Sequence, residues 1–260
     1  MIYAVGDIHG HPAQLDRVLA LIEADGGPDA EIVFLGDYVD RGPDARAVID
    51  RLAAGWAEGR PWTFLLGNHD RMFRSAVTGG PLRDPGLREG LTWLHPRLGG
   101  RDTLKSYLRW RDRPRAGRWD EEVPDEADPR LAKLRAAMAA AVPERHLAFL
   151  DALVPMHLAA DHAFVHAGIR PDVPLGEQVE DDLVWIREPF LSDPTDHGRL
   201  VVHGHTPVDR PEHRGNRLNL DTGAGYGRPA AAAALDGPEA WHLTEAGRVP
   251  IRPPVRRARA

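Results

Sequence analysis

Short apolar runs of strand type recur along this chain, and several end on glycine followed by a residue with ligand chemistry. Ile2-Tyr3-Ala4-Val5 leads into Gly6-Asp7, Ile32-Val33-Phe34-Leu35 into Gly36-Asp37, and Thr63-Phe64-Leu65-Leu66 into Gly67-Asn68. Brief, continuous apolar runs predict strands covered on both faces. Between them the apolar period switches to that of helices. Leu15, Val18, Leu19 and Ile22 share one face after Pro12, and Ala45, Val48, Ile49 and Leu52 share another after Pro43. Strands alternating with helices predict βαβ units with parallel pairing.

From about residue 71 to about 155 this grammar lapses. The segment is rich in Arg, Pro and Trp, with helical stretches at Leu131 to Ala141 and His146 to Leu153. It reads as a helical cap inserted into the main domain, which spans residues 1–247. The strand pattern then resumes. His162-Ala163-Phe164-Val165 ends at His166-Ala167-Gly168, and Leu200-Val201-Val202 at His203-Gly204-His205. Leu218 to Leu220, Ala230 to Leu235 and Ala240 to Leu243 follow as antiparallel strands between Gly-rich turns. The expected α/β architecture is a pair of mixed sheets flanked by helices. Residues 248–260 read as a basic, solvated tail.

Five strand ends therefore carry Asp7 with His9, Asp37, Asn68, His166 and His205. In open α/β sheets, ligands gather beyond the carboxyl ends of strands, so residues distant in sequence can meet there. A lone Asp after a strand is usually a helix N-cap, and a lone buried His is usually a structural hydrogen-bonding group. The ordered set is what points to metal. Carboxylate, amide and imidazole together suit Mn²⁺, Fe or Zn²⁺ better than Ca²⁺.

Gly6-Asp7-Ile8-His9-Gly10, Gly36-Asp37-Tyr38-Val39-Asp40-Arg41-Gly42 and Gly67-Asn68-His69-Asp70 resemble the three signature blocks of the phosphoprotein phosphatase (PPP) family of calcineurin-like metallophosphoesterases. Phe164-Val165-His166-Ala167-Gly168 and His203-Gly204-His205-Thr206 are similar to its two later histidine blocks. The resemblance covers about residues 1–75 and 160–225, and not the insertion. It implies a four-layer αββα sandwich and two divalent ions, Mn²⁺ first, with Fe or Zn²⁺ as alternatives. Asp7, His9 and Asp37 would hold one ion. Asp37, Asn68, His166 and His205 would hold the other, with Asp37 bridging. His203 falls to a supporting position, and Asp70 stands where many members carry Glu.

Two such metals, about 3.5–4 Å apart, clamp the nucleophile and the phosphoryl oxygens of an in-line displacement, and a bridging hydroxide attacks phosphorus directly. His69, beside Asn68, can protonate the leaving oxygen, with Asp40 orienting its ring. Arg41 is placed for bidentate contact with phosphate, and Arg187, in Trp185-Ile186-Arg187-Glu188, resembles the second phosphate arginine of bacterial and phage members. The alternative for Arg187 is a salt bridge with Glu188 or a nearby acid. Asp221-Thr222-Gly223 reads as structural. His11, His95, His157, His162 and His213 have no motif support.

Composition narrows the chemistry. The 260 residues contain no cysteine, which excludes a thiolate metal site and a Cys-nucleophile phosphatase. The N-terminal apolar run is too short for a signal peptide or membrane span, so a cytoplasmic protein without a membrane partner is expected. A net charge of −6 gives no general drive toward nucleic acid.

The expected activity is phosphomonoester hydrolysis of the serine/threonine protein phosphatase type, partly on the Trp-x-Arg-Glu block. The rival is hydrolysis of dinucleoside polyphosphates, as in the symmetrical diadenosine tetraphosphate hydrolases, which share the same metal blocks. Trp93, Trp110 and Trp119, interleaved with Arg97, Arg101, Arg109, Arg111 and Arg118, could stack adenine and neutralise extra phosphates. They could equally pack and solvate the cap. A catalytically inactive binding module is a third reading, opposed by the presence of every ligand and both phosphate arginines.

Overall fold

A computed structural model describes residues 1–108 and 128–254. The first three strand-and-helix units form as the periodicity requires. β1 (Ile2–Val5), β2 (Ile32–Phe34) and β3 (Trp62–Phe64) pair in parallel, joined by α1 (Pro12–Gly26) and α2 (Ala45–Ala57). The buried residues of α1 are Leu15, Val18, Leu19 and Ile22, the face predicted. Pro12 opens α1, where a missing N–H costs nothing, and the Asp44 carboxylate caps α2 by accepting from the Ala47 N–H at 3.0 Å. α3 (Asn68–Val77) follows β3 after three residues, so Asn68 and His69 begin a helix.

Three more helices follow in the described part of the insertion: α4 (Gly100–Tyr107), α5 (Pro129–Ala141) and α6 (Glu144–Asp151). They pack against α2 and α3. Trp110, Trp119, Arg109, Arg111 and Arg118 lie outside the described residues.

The second sheet begins with β4 (Met156–Leu158), β5 (His162–Val165) and β6 (Leu200–His203), with α7 (Glu180–Trp185) between the last two. It ends with β7 (Glu212–His213) and β8 (Arg217–Asn219). The order is β4-β5-β6-β8-β7. β8 runs parallel to β6 and antiparallel to β7, a mixed arrangement where only antiparallel pairing was expected. The chain then returns to the first sheet with β9 (Ala232–Asp236), β10 (Glu239–Thr244) and β11 (Gly247–Pro250), giving the order β11-β10-β9-β1-β2-β3. The last strand thus takes in Arg248, Val249 and Pro250, beyond the expected limit of the domain at 247. Its residues are exposed and carry no apolar pattern, so nothing in the sequence marks them as a strand.

Alternation along the strands assigns the layers. Ala4, Val33, Phe164, Val202, Leu218 and Ala233 point into a core between the two sheets. Tyr3, Val5, Ile32 and Phe34 point the other way, toward the helices α1 to α6. Val165 and Val201 face Leu183 of α7, with Phe190. Two mixed sheets therefore lie face to face with helices outside, as the four-layer expectation requires. The arrangement brings the carboxyl ends of β1, β2, β3, β5 and β6 to one edge. No helix among the described residues is long and apolar enough to cross a membrane.

Candidate metal centre and phosphate pocket

The loops leaving these five strand ends are tightly constrained. His9, Asp37, Asp40, Arg41 and His205 all have positive φ, between 47° and 70°. Non-glycine residues there cost about 1–3 kcal/mol each and persist only where surrounding contacts over-determine them. Among the described residues outside this site, only Asp172 shares the feature. Two glycines show how closely the strands approach. A Cβ at Gly204 would sit 2.1 Å from Asp7 Oδ1, and one at Gly36 would sit 2.7 Å from the Gly67 nitrogen. The strand-Gly-ligand pattern is thus a packing requirement: glycine lets neighbouring ligand loops touch.

Asp37 lies at the centre. Its Oδ2 is 3.5 Å from His9 Nε2, and its Oδ1 is 3.4 Å from His166 Nε2. One carboxylate thereby addresses two sets of donors. On the first side, His9 Nε2 is 3.9 Å from Asp7 Oδ2. On the second, Asn68 Oδ1 lies 3.0 Å from His166 Nε2 and 2.9 Å from His205 Nδ1. The donor atoms of Asp37, His166 and His205 fall within 4.8 Å of one another. All six predicted ligands are buried.

The tautomers follow from fixed partners. His9 Nδ1 donates to the Val39 carbonyl at 2.8 Å and His166 Nδ1 to the Leu35 carbonyl at 2.8 Å. A carbonyl can only accept, so each ring turns a bare Nε2 lone pair toward Asp37. Burial pushes His9, His166 and His205 below the ordinary imidazole range, which keeps them neutral. His166 Nε2 then faces two acceptors, Asn68 Oδ1 and Asp37 Oδ1, with no proton to share. His205 Nε2 is buried without a hydrogen-bond partner. Burial, together with Asp221 and Asp37, pushes the Asp7 carboxyl well up. Burial also pushes Asp221 up to about 6. For Asp37 burial acts upward too, but the imidazoles of His166, His69, His9 and His205 outweigh it and hold the carboxyl low. Converging lone pairs and crowded buried carboxylates fit divalent cations, and the mixed O and N donors fit transition metals.

His69 and Asp40 meet as expected. His69 Nδ1 donates to Asp40 Oδ2 at 2.6 Å. Trp93 Nε1 donates to the same oxygen at 2.8 Å, and the Thr103 hydroxyl donates to Oδ1 at 2.6 Å. Asp40 is fully buried and its carboxylate accepts these three hydrogen bonds. Trp93, also fully buried, cannot stack on a base. Its signal was its place in a polar, irregular segment, which does not reveal a contact 53 residues back along the chain. The bare Nε2 of His69 also lies within ligand range of His9 and Asp37, so geometry alone admits it as a metal ligand.

Asp70 has more to do than the motif suggested. Its carboxylate accepts from the backbone N–H of Asp37 at 2.7 Å, Tyr38 at 2.9 Å and Gly67 at 3.1 Å. It thereby ties the Asp37 turn to the start of α3, where Asp37 Oδ1 accepts from the His69 N–H at 3.0 Å. The acid three residues after Gly67, placed to accept from the N-cap backbone N–H, was the available sequence signal. His203 lies behind the centre, packed against Phe190, with Nε2 3.3 Å from an Arg217 nitrogen.

The two phosphate arginines reach one pocket of about 230 Å³, shared with Asp37, Asn68, His69 and His205. Arg187 pairs with no carboxylate among the described residues; Glu188 instead accepts from Ser192. Arg41 is folded inward. It donates to His9 Nε2 at 2.6 Å and His69 Nε2 at 3.0 Å, with its guanidinium carbon 5.0 Å from the Tyr226 ring centre. An imidazole nitrogen has one lone pair. A His9 bound to metal through Nε2 must therefore release Arg41, which then faces the pocket it already lines.

Known proteins are similar to this chain in sequence and in fold. A protein named bis(5'-nucleosyl)-tetraphosphatase, symmetrical, from Paracidovorax citrulli (strain AAC00-1) is 35% identical over 138 residues, covering 53% of this chain and 42% of that protein. One of the same name from Bordetella pertussis (strain Tohama I) is 40% identical over 78 residues, covering 30% of this chain and 27% of that one. These matches span less than half of either relative. A crystal structure provisionally named a diadenosine tetraphosphatase superposes with a TM-score of 0.60 at 21% identity, covering 96% of this chain and 93% of the other. A cold-active protein tyrosine phosphatase superposes with a TM-score of 0.60 at 17% identity, covering 97% and 78%. At such identities the structural likeness speaks for the fold alone. The model of the calcineurin-like phosphoesterase family matches residues 1–234, and the chain belongs to that family of metal-dependent phosphohydrolases, whose members use a dinuclear divalent centre.

Proposed function

We propose that this protein hydrolyses dinucleoside polyphosphates, cleaving a phosphoanhydride bond at a centre of two divalent ions. The observation that carries this reading is the similarity in sequence to proteins named symmetrical bis(5'-nucleosyl)-tetraphosphatases. The serine/threonine protein phosphatase reading takes second place, because the block at Trp185 to Glu188, on which it partly rests, also suits any phosphate chain. The exposed ring of Tyr226 on the pocket rim adds a face on which a base can stack.

On this reading Asp7, His9 and Asp37 hold one ion, and Asp37, Asn68, His166 and His205 hold the second. When bound, the pair supplies positive charge to the phosphoryl group and lowers the pKa of water. Arg187 and the outward-turned Arg41 hold the non-bridging oxygens. His69, kept in register by Asp40, faces the leaving oxygen and, once Nε2 has taken up a proton, delivers that proton to it. Trp93 and Thr103 act through Asp40 as positioning residues. Residues from about 71 to 155, treated as a cap, place both.

The test is a panel assayed with Mn²⁺: diadenosine tetraphosphate, a phosphoserine peptide, a phosphotyrosine peptide and p-nitrophenyl phosphate, compared by kcat/KM. Diadenosine tetraphosphate should lead either peptide by at least about tenfold, a difference of some 1.4 kcal/mol in transition-state binding. A lead for the phosphoserine peptide would return the protein phosphatase reading to first place.

A further inference from the structure

The site pocket holds more positive charge than one phosphate needs. Beside Arg41 and Arg187, it is lined by Arg88 and Arg97, from the segment between α3 and α4. Both are exposed residues, and neither forms an ion pair with a carboxylate among the described residues. Exposed arginines on this chain commonly do pair: Arg60 with Glu58, Arg145 with Asp50, Arg170 with Asp182, Arg214 with Glu212. Four guanidinium groups share about 230 Å³ with a single carboxylate, that of Asp37, so positive charge is in excess there. At Arg187 burial lowers the affinity for a proton most; Tyr226 and Asp37 act against it, and Arg41 and Arg88 add to it.

The segment bearing the two extra arginines is fixed to the site. Asp84 accepts from Arg71 through both carboxylate oxygens, at 2.8 and 2.7 Å, and from the Gly86 N–H at 2.9 Å. It also accepts from Trp185 Nε1 at 2.8 Å, two residues before Arg187. Leu87 and Leu98, beside Arg88 and Arg97, are buried. The Gly99 carbonyl accepts from the Arg41 N–H at 3.4 Å. Arg88 and Arg97 are therefore carried into the pocket lining by anchored backbone.

We infer that Arg88 and Arg97 form a second phosphate subsite, which takes the phosphates beyond the one being cleaved and so selects polyphosphate chains over monoesters. This deepens the proposed reading and rests on it for the identity of the substrate. The chemistry matches: a guanidinium offers a fork of donors to adjacent phosphate oxygens, and two forks beyond the catalytic pair accommodate a chain of anions.

The experiment compares AMP and ADP as competitive inhibitors of p-nitrophenyl phosphate hydrolysis, with Mn²⁺ in excess of nucleotide. The two inhibitors differ by one phosphate, so their ratio of inhibition constants isolates the subsite. ADP should bind the wild-type enzyme about 10- to 100-fold more tightly than AMP, the range of one or two charge-assisted hydrogen bonds. In the double variant Arg88→Gln/Arg97→Gln the ratio should collapse to within about threefold of unity. Arg83→Gln removes a charge from the same segment but away from the pocket, and should retain the wild-type ratio. A ratio unchanged in the double variant, or lowered equally by Arg83→Gln, overturns the subsite, as does a wild-type enzyme that binds ADP no better than AMP. If the ratio behaves as expected while diadenosine tetraphosphate proves a poor substrate, the subsite stands and the proposed substrate falls.

Discussion

Replacing Asp37 by Asn should remove metal and activity together. The two oxygens of Asp37 face both donor groups, 3.5 Å from His9 and 3.4 Å from His166. The amide keeps the shape and one acceptor oxygen but loses the negative charge that a pair of dications requires. Metal content by elemental analysis should fall from about two ions per chain toward none, and kcat/KM should fall by more than about 10²-fold. The fold should survive, because the amide keeps the shape of the side chain and the acceptor oxygen that the His69 N–H uses. A far-ultraviolet circular dichroism spectrum like that of wild type would check this. Full metal content in Asp37→Asn would remove Asp37 from its bridging role.

His69→Asn should behave differently. The His69 ring is held by Asp40 at 2.6 Å, within a network completed by Trp93 and Thr103. On the proposed mechanism it meets the leaving oxygen and no metal. Metal content should therefore stay near two ions per chain, while kcat falls in proportion to how badly the leaving group needs a proton. For a phosphoserine peptide, whose alkoxide leaves poorly, the expected loss is roughly 10²–10⁴-fold. For diadenosine tetraphosphate the leaving group is a phosphate, with a second pKa near about 6, and the loss should be much smaller. p-Nitrophenyl phosphate should resemble the dinucleotide. Loss of metal comparable with that in Asp37→Asn would make His69 a ligand, which its distance to His9 and Asp37 also permits. Equal slowing of all substrates with metal retained would assign the ring to phosphate charge instead of proton transfer.

The candidate centre was legible because its ligands are local events. Asp7, Asp37, Asn68 and His205 each follow a glycine directly, His9 and His166 lie at the same strand ends, and the glycines at 36 and 204 are demanded by backbone approach. Helices α1 and α2 were legible for the same reason, since one apolar face at a period near 3.6 is a local property. What stayed hidden depends on contacts far apart in sequence. Trp93 and Thr103 serve Asp40 from a segment without strand grammar, and their indole and hydroxyl look like ordinary polar surface until the chain folds back. Asp70 was read as a mild departure from a family pattern, yet it carries three backbone N–H groups of the Asp37 turn. The direction of β8 follows from its placement beside β6, which no alternation within residues 217–219 reveals. The inward fold of Arg41 onto two imidazoles is likewise a three-dimensional fact, and it changes what metal binding must do: the guanidinium has to leave the donors before they can be shared.

Substrate choice was the least legible part, and the reason is geometric. The pocket wall is assembled from residues 86–98, 185–187 and 226, three segments with no common motif. Read singly, Arg88 and Arg97 are surface arginines and Trp185 is a core aromatic. The preference for a protein phosphatase rested in part on one of those segments. The similarity to named tetraphosphatases moves the balance to the dinucleotide reading.

Crystals grown with Mn²⁺ and measured for anomalous scattering test the central claim most directly. Two peaks should flank the Asp37 carboxylate, one bounded by Asp7 and His9 and the other by Asn68, His166 and His205, with Arg41 turned away from His9. A single peak, or two peaks that do not share Asp37, would contradict the dinuclear centre described here.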